Sequence, residues 1–264
     1  MAELVAAIRA APGRFAVLAG AGISNSAGIM TGDDWLHAQA ARDGLDTGLQ
    51  PVAWYRETYG SFPNYFRMLH EAAGLRTVRD VLPREYFTSA TGGDHQPTPS
   101  HRALAELAVT GRIGPILTTN FDRLLEKAIV EAGASPTVAL SLDSFTEMSS
   151  SSLPNCLVVK LHGDYLDIKI RDTSPSIYTY HPIIDTLLDQ ILGRFDLIVC
   201  GWSASWDMAL GRALGRPANR RRTFWLLRGT ASVEAARLIT LRRAHVIPVP
   251  GSDVGLSQLF RALA

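Results

Sequence analysis

The sequence predicts an α/β fold in which a doubly wound parallel sheet carries a helical insertion, and three observations support this prediction. Short apolar runs alternate with stretches of helical periodicity through the second half of the chain, which is the pattern of a parallel sheet. The first apolar run, Phe15 to Ala19, breaks at Gly20 and Gly22 before any polar side chain appears, as does a strand that ends in a tight turn. The 264 residues, 47% of them hydrophobic and 19% charged, suffice for one large domain with a substantial core.

The first part of the chain combines one helix, one strand and a long helical region. Glu3 to Ala11 places its apolar residues at helical spacing and ends at a Pro-Gly pair. The strand Phe15 to Ala19 and its glycine turn follow. Residues from about 33 to 97 contain helical patches at Trp35–Arg42 and Pro63–Gly74 and no convincing strand. We therefore predict a helical lid inserted over the mouth of the site, where it would exclude water and shape the pocket.

The remainder of the chain alternates strands with helices. Thr98 is predicted to cap a helix that has Pro99 in its first turn and ends at Gly111. Further strands are expected at Ile113–Leu117, Thr137–Leu140, Leu157–Leu161, Asp196–Cys200, Phe224–Leu227 and His245–Val249. Further helices are expected at Leu124–Gly133, Ile183–Leu192, Val233–Leu241 and Gly255–Leu263, and a small polar loop at Ser149–Ser152.

The glycine turn after the first strand predicts an anionic ligand. Its glycines allow backbone N–H groups to approach such a ligand closely, and Ser24 and Ser26 add hydroxyl donors where the next helix should begin. Asn25 stands where the dinucleotide fingerprint of hydride-transfer enzymes needs a third glycine, so that fingerprint is broken. A phosphate or pyrophosphate is the natural ligand, and a plain turn without any ligand is the alternative.

Polar side chains also stand at the ends of later strands, where a doubly wound sheet faces its ligand crevice. The amide of Asn120 suits a sugar hydroxyl or an attacking water, and His162 suits a general base at neutral pH. Simpler interpretations remain open at this point: Asp122 as a helix cap, His162 in a local hydrogen bond, and a strand-to-helix turn capped by Ser205. Arg228 ends a further strand and lies at the crevice end of the sheet.

Composition and charge exclude several classes of protein. A net charge of +1 does not predict nucleic acid or a membrane surface as the main partner. Cys156 and Cys200 are the only cysteines, so neither a disulfide framework nor a four-cysteine zinc site is expected. The N-terminus contains Glu3 and Arg9 and lacks the apolar region of a signal peptide, and no apolar run reaches about 18 residues. We therefore expect a cytoplasmic protein.

Four short motifs, in this order and spread over most of the chain, resemble those of the sirtuin family. Each motif alone is weak, but their order makes the resemblance specific. They are Gly20-Ala21-Gly22-Ile23-Ser24 with Ser26 and Gly28-Ile29, Thr118-Thr119-Asn120-Phe121-Asp122, Lys160-Leu161-His162-Gly163-Asp164, and Cys200-Gly201-Trp202-Ser203.

The resemblance implies a Rossmann-like, NAD-binding domain over residues 1–264, with a helical lid insertion at about 33–97. It implies catalytic roles for Asn120, His162 and Asp122. It also implies NAD contacts from the strand ends, to which we add Arg228: Gly20, Ala21, Gly22, Ser24, Ser26, Thr118, Gly201, Ser203 and Arg228.

The chain departs from the family pattern at three positions that line up with its motifs. Many sirtuins continue the first motif with Pro-Asp-Phe-Arg, whereas this chain has Met30-Thr31-Gly32-Asp33-Asp34-Trp35, so the arginine is absent. Thr119 replaces the usual glutamine, and Trp202 is larger than the residue in the family's Gly-Thr-Ser. Trp35 is a candidate to replace the family's aromatic residue or to anchor the lid helix in the core.

Sirtuins that deacylate proteins usually carry a four-cysteine zinc module after the histidine motif, and residues Tyr165 to Phe195 contain no cysteine. We therefore expect no zinc and no acyl-lysine groove. Zinc-less relatives of this kind are NAD-depleting effectors of bacterial anti-phage immunity and act in abortive infection. The resemblance thus implies an NAD glycohydrolase that forms nicotinamide and ADP-ribose.

A free and always active hydrolase of this kind would be toxic, so we expect activation by oligomerisation or by a sensor or ATPase partner, either a separate polypeptide or a missing C-terminal region. Two alternatives remain at this stage. One is transfer of ADP-ribose to a protein side chain or its cyclisation, and the other is a module that senses NAD or ADP-ribose without turnover.

Overall fold

A computed structural model describes residues 1–42, 51–60, 95–150, 152–164, 179–205, 207–219 and 221–264. These residues form a seven-stranded sheet in which every pair of neighbouring strands is parallel. The strands are β1 (Phe15–Ala19), β2 (Ile116–Thr118), β3 (Thr137–Ala139), β4 (Leu157–Lys160), β5 (Asp196–Cys200), β6 (Thr223–Leu227) and β7 (His245–Pro248).

The order of the strands is β3-β4-β2-β1-β5-β6-β7. The chain leaves β1 toward one edge of the sheet, then returns and builds the other half from β5 onward. In an open sheet of this type the ligand crevice lies beyond the carboxyl ends of the strands, at the point where the order reverses. That point is the end of β1, with β2 on one side and β5 on the other.

Helices cover both faces of the sheet. In the described residues they are α1 (Ala2–Ala10), α2 (Gly32–Arg42), α3 (Pro51–Tyr59), α4 (Pro99–Val109), α5 (Leu124–Glu131), α6 (Leu142–Ser150), α7 (Pro182–Arg194), α8 (Met208–Gly215), α9 (Val233–Arg242) and α10 (Ser252–Leu263). Short 3-10 turns occupy Ala21–Ile23, Asn25–Ala27 and Pro217–Asn219. No helix within the described ranges is long and apolar enough to cross a bilayer.

The strand β1 divides the core into two layers because its side chains alternate between the faces of the sheet. Phe15, Val17 and Ala19 pack with α1, α4, α5 and α10 on one face. Ala16 and Leu18 pack with α6, α7, α8 and α9 on the other. Every residue of β1 is buried, which explains why the strand is a continuous apolar run in the sequence.

The predicted fold class is confirmed, and several element bounds agree closely with the sequence. The ranges of β1 and β5 are those predicted, and Thr98 caps α4 in a reciprocal capping box with His101. The lid patch at Trp35–Arg42 lies within α2, and α3 falls in the same insertion, whereas the patch at Pro63–Gly74 lies outside the described residues. The bounds of the insertion and the extent of the domain therefore stay predictions.

Two local predictions were wrong. Residues 149 and 150 belong to the last turn of α6 and not to a polar loop. The hydroxyls of Ser149 and Ser150 donate to the carbonyls of Phe145 and Thr146, one turn earlier, at 2.8 and 2.9 Å. The glycine turn after β1 is followed by two 3-10 turns and not by a helix, and these end at Gly28 with φ +84°.

Candidate functional site

A cavity of about 680 Å³ opens at the carboxyl ends of the strands. It is bounded by the loops that follow β1, β2, β4, β5, β6 and β7 and by the start of α2, within residues 21–34, 119–122, 201–207, 225–235 and 249–252 and at His162. Most of the residues predicted to form the site line this cavity: Ala21, Gly22, Ser24, Asn120, Asp122, His162, Gly201, Ser203 and Arg228. The prediction that strand ends would bring these residues together is consistent with this geometry.

The glycine turn after β1 packs directly against the loop after β5. The N–H of Gly22 donates to the carbonyl oxygen of Gly201 at 2.8 Å, and a Cβ atom on Gly20 would lie 2.5 Å from that same oxygen. Gly201 itself has φ +63°, and a Cβ there would lie 2.8 Å from the nitrogen of Ile23. These glycines are therefore required for two backbones to approach each other, a reason that the sequence did not reveal.

Ser24 is the centre of a buried polar network that connects the tips of β1 and β2. Its hydroxyl donates to Oδ2 of Asp122 at 2.8 Å and accepts from Nδ2 of Asn120 at 3.0 Å. The other carboxylate oxygen of Asp122 accepts from the N–H of Leu124 at 3.0 Å, at the start of α5. Asp122 thus satisfies the first N–H of α5 and is also a partner of the cavity residues, but the N-cap position itself is Arg123, and not Asp122 as the simpler interpretation held.

His101 completes this network, and the sequence analysis missed it. Its Nδ1 accepts from the N–H of Thr98 at 3.1 Å, and its Nε2 lies 3.3 Å from the hydroxyl of Ser24. Burial lowers the pKa of His101, while the carboxylates of Asp122 and Asp253 oppose that shift. A neutral ring that accepts at Nδ1 carries its proton on Nε2 and donates it to Ser24.

These contacts fix the orientation of the Asn120 side chain. Because its amide nitrogen is bonded to Ser24, its oxygen Oδ1 points away from that network. Asn120 is 7% exposed and lines the cavity, and its Oδ1 has no hydrogen-bond partner among the described residues. A buried acceptor without a partner is costly in a folded protein, and at a cavity wall it is suited to a ligand hydroxyl or a water.

His162 enters the same cavity from the tip of the neighbouring strand. β4 pairs with β2, and the pairing continues through a bond of 2.9 Å from the N–H of Leu161 to the carbonyl of Thr118. The rings of His162 and Phe121 have centroids 6.1 Å apart, so the loop that carries Asn120 lies beside the histidine.

Two further residues that the sequence analysis missed hold His162. Its Nε2 lies 2.6 Å from Oδ2 of Asp207, and the hydroxyl of Tyr180 donates to that same oxygen at 2.8 Å. Asp207 is also the N-cap of α8, through Oδ1 and the N–H of Leu210 at 2.9 Å. The alternative in which Ser205 caps this helix is therefore wrong. The N–H of Ser205 donates to Oγ of Ser203, and Asp207, two residues later, caps α8.

A buried lysine connects the same two strand tips from behind. Lys160 is fully buried at the end of β4, and its Nζ donates to the carbonyl of Asp122 at 2.6 Å, to Glu126 at 3.0 Å and to Asp164 at 3.1 Å. Asp164 also accepts a hydrogen bond from Nε of Arg123 at 2.7 Å. This cluster ties the loop after β4 to the loop after β2, so both candidate catalytic side chains sit on braced loops.

Three of the predicted binding residues lie beside the cavity and not in its lining. Gly20 packs against the loop after β5, and the hydroxyl of Thr118 accepts from the N–H of Asn120 at 3.1 Å. Ser26 is exposed and donates to Asp253 of α10 at 2.6 Å. Their contacts in the structure support the loops that form the wall.

The far end of the cavity is formed by the loops after β6 and β7. Arg228 is exposed at the end of β6 and lines this end, and Trp202 stacks on Trp225 with ring centroids 5.9 Å apart.

Cys156 and Cys200 are both buried, and burial raises the pKa of Cys200 to about 12. Within the described part of the chain, no group of three or more His, Cys, Asp or Glu side chains is arranged to hold a metal ion.

Comparisons with known proteins agree with the motifs. Residues 115–246 match the family model described as a SIR2-like domain, a range that includes Asn120, His162 and Asp207. The NAD(+) hydrolase ThsA of Enterococcus faecium is 30% identical over 162 residues, which are 59% of this chain and 29% of that protein. An NAD-dependent protein deacetylase of Chromobacterium violaceum is 37% identical over 118 residues, 44% of this chain and 40% of that protein. The matches thus span well under half the length of these curated relatives.

Solved structures show the same fold. The crystal structure of a complex of a Sir2 homologue with NAD superimposes over 100% of this chain and 93% of its own, with a TM-score of 0.52 at 17% identity. At this identity the likeness is one of architecture alone.

Proposed function

The chain belongs to the SIR2-like family, and from this premise we propose that it is an NAD glycohydrolase that cleaves the nicotinamide–ribose bond to give nicotinamide and ADP-ribose. One observation carries the proposal. Asn120, whose buried Oδ1 has no hydrogen-bond partner among the described residues, lines the same cavity as His162, and the two residues follow neighbouring strands. A hydrogen-bond acceptor for the ligand and a candidate base are thus available in the crevice where folds of this type bind dinucleotides.

The chemistry needs few catalytic groups. The leaving group is a pyridinium, already cationic, so its departure requires no acid and proceeds through an oxocarbenium-like state. The protein has to orient the ribose, keep competing water out and supply a base to the nucleophile. Asn120 and His162 are available for the first and the last of these tasks.

We assign positioning of the ribose or of the attacking water to Asn120. Its amide oxygen would accept from a hydroxyl or from the water, while Ser24 holds the amide nitrogen. We assign general-base work to His162, since a neutral imidazole accepts a proton at physiological pH. Asp122 would hold the nicotinamide amide or the loop, and its two hydrogen bonds within the protein favour the loop.

The rest of NAD would occupy the remaining wall of the cavity. Backbone N–H groups of the glycine turn, with Ser24 and Ser203, would bind the pyrophosphate. Arg228, the cation among the described lining residues near the ends of β6 and β7, would contact the adenosine half. Ala21, Gly22 and Gly201 would complete this surface, with Gly20, Ser26 and Thr118 supporting it from behind.

Water is the acceptor that we favour over acyl-lysine. The segment that carries a zinc module in deacylating sirtuins contains no cysteine here, and relatives named NAD(+) hydrolase match over more than half of this chain. The match to an NAD-dependent protein deacetylase supports an NAD site as much as the hydrolase relatives do, but it does not favour water as the acceptor. The assay below therefore also includes an acetyl-lysine peptide.

We place the protein among the NAD-depleting effectors of bacterial anti-phage immunity, on the strength of its resemblance to zinc-less sirtuin-like domains. Depletion of NAD arrests the cell and so limits the phage. Such an activity has to be silent until infection, and we propose that oligomerisation, or a sensor or ATPase partner, activates it.

Incubation of the protein, alone and assembled, with NAD labelled in both halves tests the proposal. Chromatography should show nicotinamide and ADP-ribose in equal amounts, and no acetylated ADP-ribose when the peptide is present. His162→Ala should reduce turnover by roughly 10²–10⁴-fold and spare NAD binding. The control is His245→Ala, an exposed histidine of β7 that pairs with Glu3 outside the cavity, and it should leave turnover unchanged.

Other products would replace the proposal by a specific alternative. A cyclic product or protein-bound ADP-ribose would indicate cyclisation or transfer at the same site. If the protein bound NAD but released no nicotinamide in any assembly, the interpretation as a sensor module would be correct.

A further inference from the structure

The contact between His162 and Asp207 determines which ring nitrogen carries the proton. A buried carboxylate only accepts hydrogen bonds, and Oδ2 of Asp207 lies 2.6 Å from Nε2 of His162. The ring must therefore carry its proton on Nε2. In a neutral imidazole the other nitrogen, Nδ1, is then the basic one.

Asp207 is itself held in one orientation. It is 3% exposed, and its Oδ1 caps α8 through the N–H of Leu210. Its Oδ2 receives the hydroxyl of Tyr180, 5% exposed, as well as the histidine. A carboxylate with both oxygens bonded cannot rotate without losing a helix cap, so the ring of His162 is held by a fixed group.

We propose that Asp207 is the positioning residue of His162, with Tyr180 as its support, and that His162 accepts the proton of the nucleophile on Nδ1. The inference rests on the proposed function, because it concerns the base of that reaction. Water attacks C1′ of the ribose while the bond from C1′ to the nicotinamide nitrogen breaks. The electron pair of that bond leaves with nicotinamide, and the proton of the water passes to Nδ1.

The resulting imidazolium faces the carboxylate of Asp207, which stabilises its charge without taking the proton. Attraction between the two charges is larger in this buried location than in water. Asp207 would therefore contribute mainly to the transition state, where the ring becomes cationic, and less to the binding of NAD.

Asp207→Asn separates this role from the capping role. Asparagine keeps an oxygen that can cap α8, but it presents an NH₂ group where the carboxylate faced the ring. The ring can then bond to residue 207 only through an unprotonated Nε2, which moves the proton to Nδ1 and removes the base. In proteases that hold a catalytic histidine in this manner, the same exchange lowers kcat by roughly 10⁴-fold.

The experiment measures kcat and KM for nicotinamide release by the full chain, under the conditions in which the parent is active. Asp207→Asn should lower kcat at least about 100-fold, with KM changed by no more than a few-fold. Tyr180→Phe removes one bond to the carboxylate, and its kcat should fall by a smaller factor, on the order of 10. The control is Asp185→Asn, which removes an aspartate that pairs with Arg216 outside the cavity, and it should match the parent.

A second measurement does not depend on turnover. The ¹⁵N shifts of the His162 ring should show the proton on Nε2 in the parent and on Nδ1 in Asp207→Asn, and thermal unfolding should show that both proteins are folded. A parent ring protonated on Nδ1 would overturn the inference.

The kinetic outcomes separate the inference from the proposed function. An active parent with an equally active Asp207→Asn variant would overturn the positioning role alone. A more active variant would also overturn it, because Asp207 would then be masking the base. A parent that releases no nicotinamide in any assembly would overturn the proposed function, and the inference with it.

Discussion

Ser24 is the residue on which the geometry of the candidate site depends most. Its hydroxyl contacts Asn120, Asp122 and His101, and the residue is 1% exposed. Without that hydroxyl, the amide of Asn120 loses the contact that fixes its orientation. The buried partners that remain would also lack a hydrogen bond, which costs about 1–3 kcal/mol.

Ser24→Ala should therefore lower both activity and stability. We expect kcat for nicotinamide release to fall roughly 10- to 100-fold, as for loss of an oriented catalytic group, and the free energy of unfolding to fall by about 1–3 kcal/mol. The control is Ser100→Ala, a buried serine that donates to Asp253 at 2.6 Å away from the cavity lining. It should lose similar stability with little effect on kcat. Equal losses of kcat in both variants would contradict the role of Ser24.

The sequence predicted Asn120 and His162 but not the residues that orient them. Polar side chains directly after apolar strands stand out, whereas Asp207 and His101 occupy helix N-termini, where a capping role already explains them. Which side chain an N-cap aspartate meets depends on tertiary contacts. Tyr180, close in space and distant in sequence from Asp207, has no local signal at all.

At the level of elements, the glycine turn after β1 and the loop after β5 act as one unit. Gly22→Ala would place a Cβ 2.9 Å from Cα of Gly201, and the neighbouring atoms are backbone that cannot move aside cheaply. The two loops would have to separate, and the wall proposed for the pyrophosphate would be distorted.

Gly22→Ala should consequently weaken NAD binding at least about 10-fold and destabilise the fold by about 1–3 kcal/mol. The comparison variant is Gly193→Ala, within α7, where the nearest atom to the added Cβ is 3.8 Å away. Alanine should stabilise that helix by up to about 1 kcal/mol. Calorimetric titration with NAD and denaturant unfolding measure both quantities. Unchanged binding by Gly22→Ala would show that NAD does not use this turn.

Asp253 connects three elements at the back of the site. From the first turn of α10 it accepts from Ser26 in the turn after β1 and from Ser100 in α4, both at 2.6 Å. Burial opposes ionisation of this carboxyl, but the hydrogen bonds from Ser100, Ser26 and Thr98 outweigh it and hold its pKa below the ordinary value.

The direction of that shift predicts a pH dependence of stability. A carboxyl with a lowered folded-state pKa contributes stability above the unfolded pKa of about 3.9, and the contribution is lost as the pH falls through the folded pKa. Asp253→Asn should unfold at a lower temperature than the parent at pH 7, and the difference should shrink below about pH 4. Asp143→Asn, an exposed change on α6, should show no such trend. A constant difference from pH 7 to pH 3 would contradict this assignment.

Element positions were predictable where burial alone decides them. Strand β1 and the part of β5 that follows Asp196 are buried on both faces and appear in the sequence as apolar runs. The helix α6 was not predicted, and its last residues were assigned to a polar loop because serines favour turns. In the structure, the hydroxyls of Ser149 and Ser150 donate to carbonyls of the helix itself.

At the scale of the whole molecule, the parallel sheet explains why residues far apart in the sequence meet. Reversal of the strand order at β1 brings the tips of β2 and β4 to one side and that of β5 to the other, and one cavity spans them all. The sequence analysis predicted that polar residues at strand ends would face one crevice, but it did not predict the order of the strands. The brace by Lys160 and the contact between two glycine loops arise from packing and were not foreseeable.

The central claim is that Asn120 and His162 act on the same glycosidic bond. The most direct test measures nicotinamide release and NAD affinity in parallel for the parent, Asn120→Ala and His162→Ala, under the conditions in which the parent is active. We predict that each variant loses at least about 100-fold in kcat while its Kd for NAD stays within a few-fold of the parent. Parental turnover in either variant, at equal NAD occupancy, would contradict the claim.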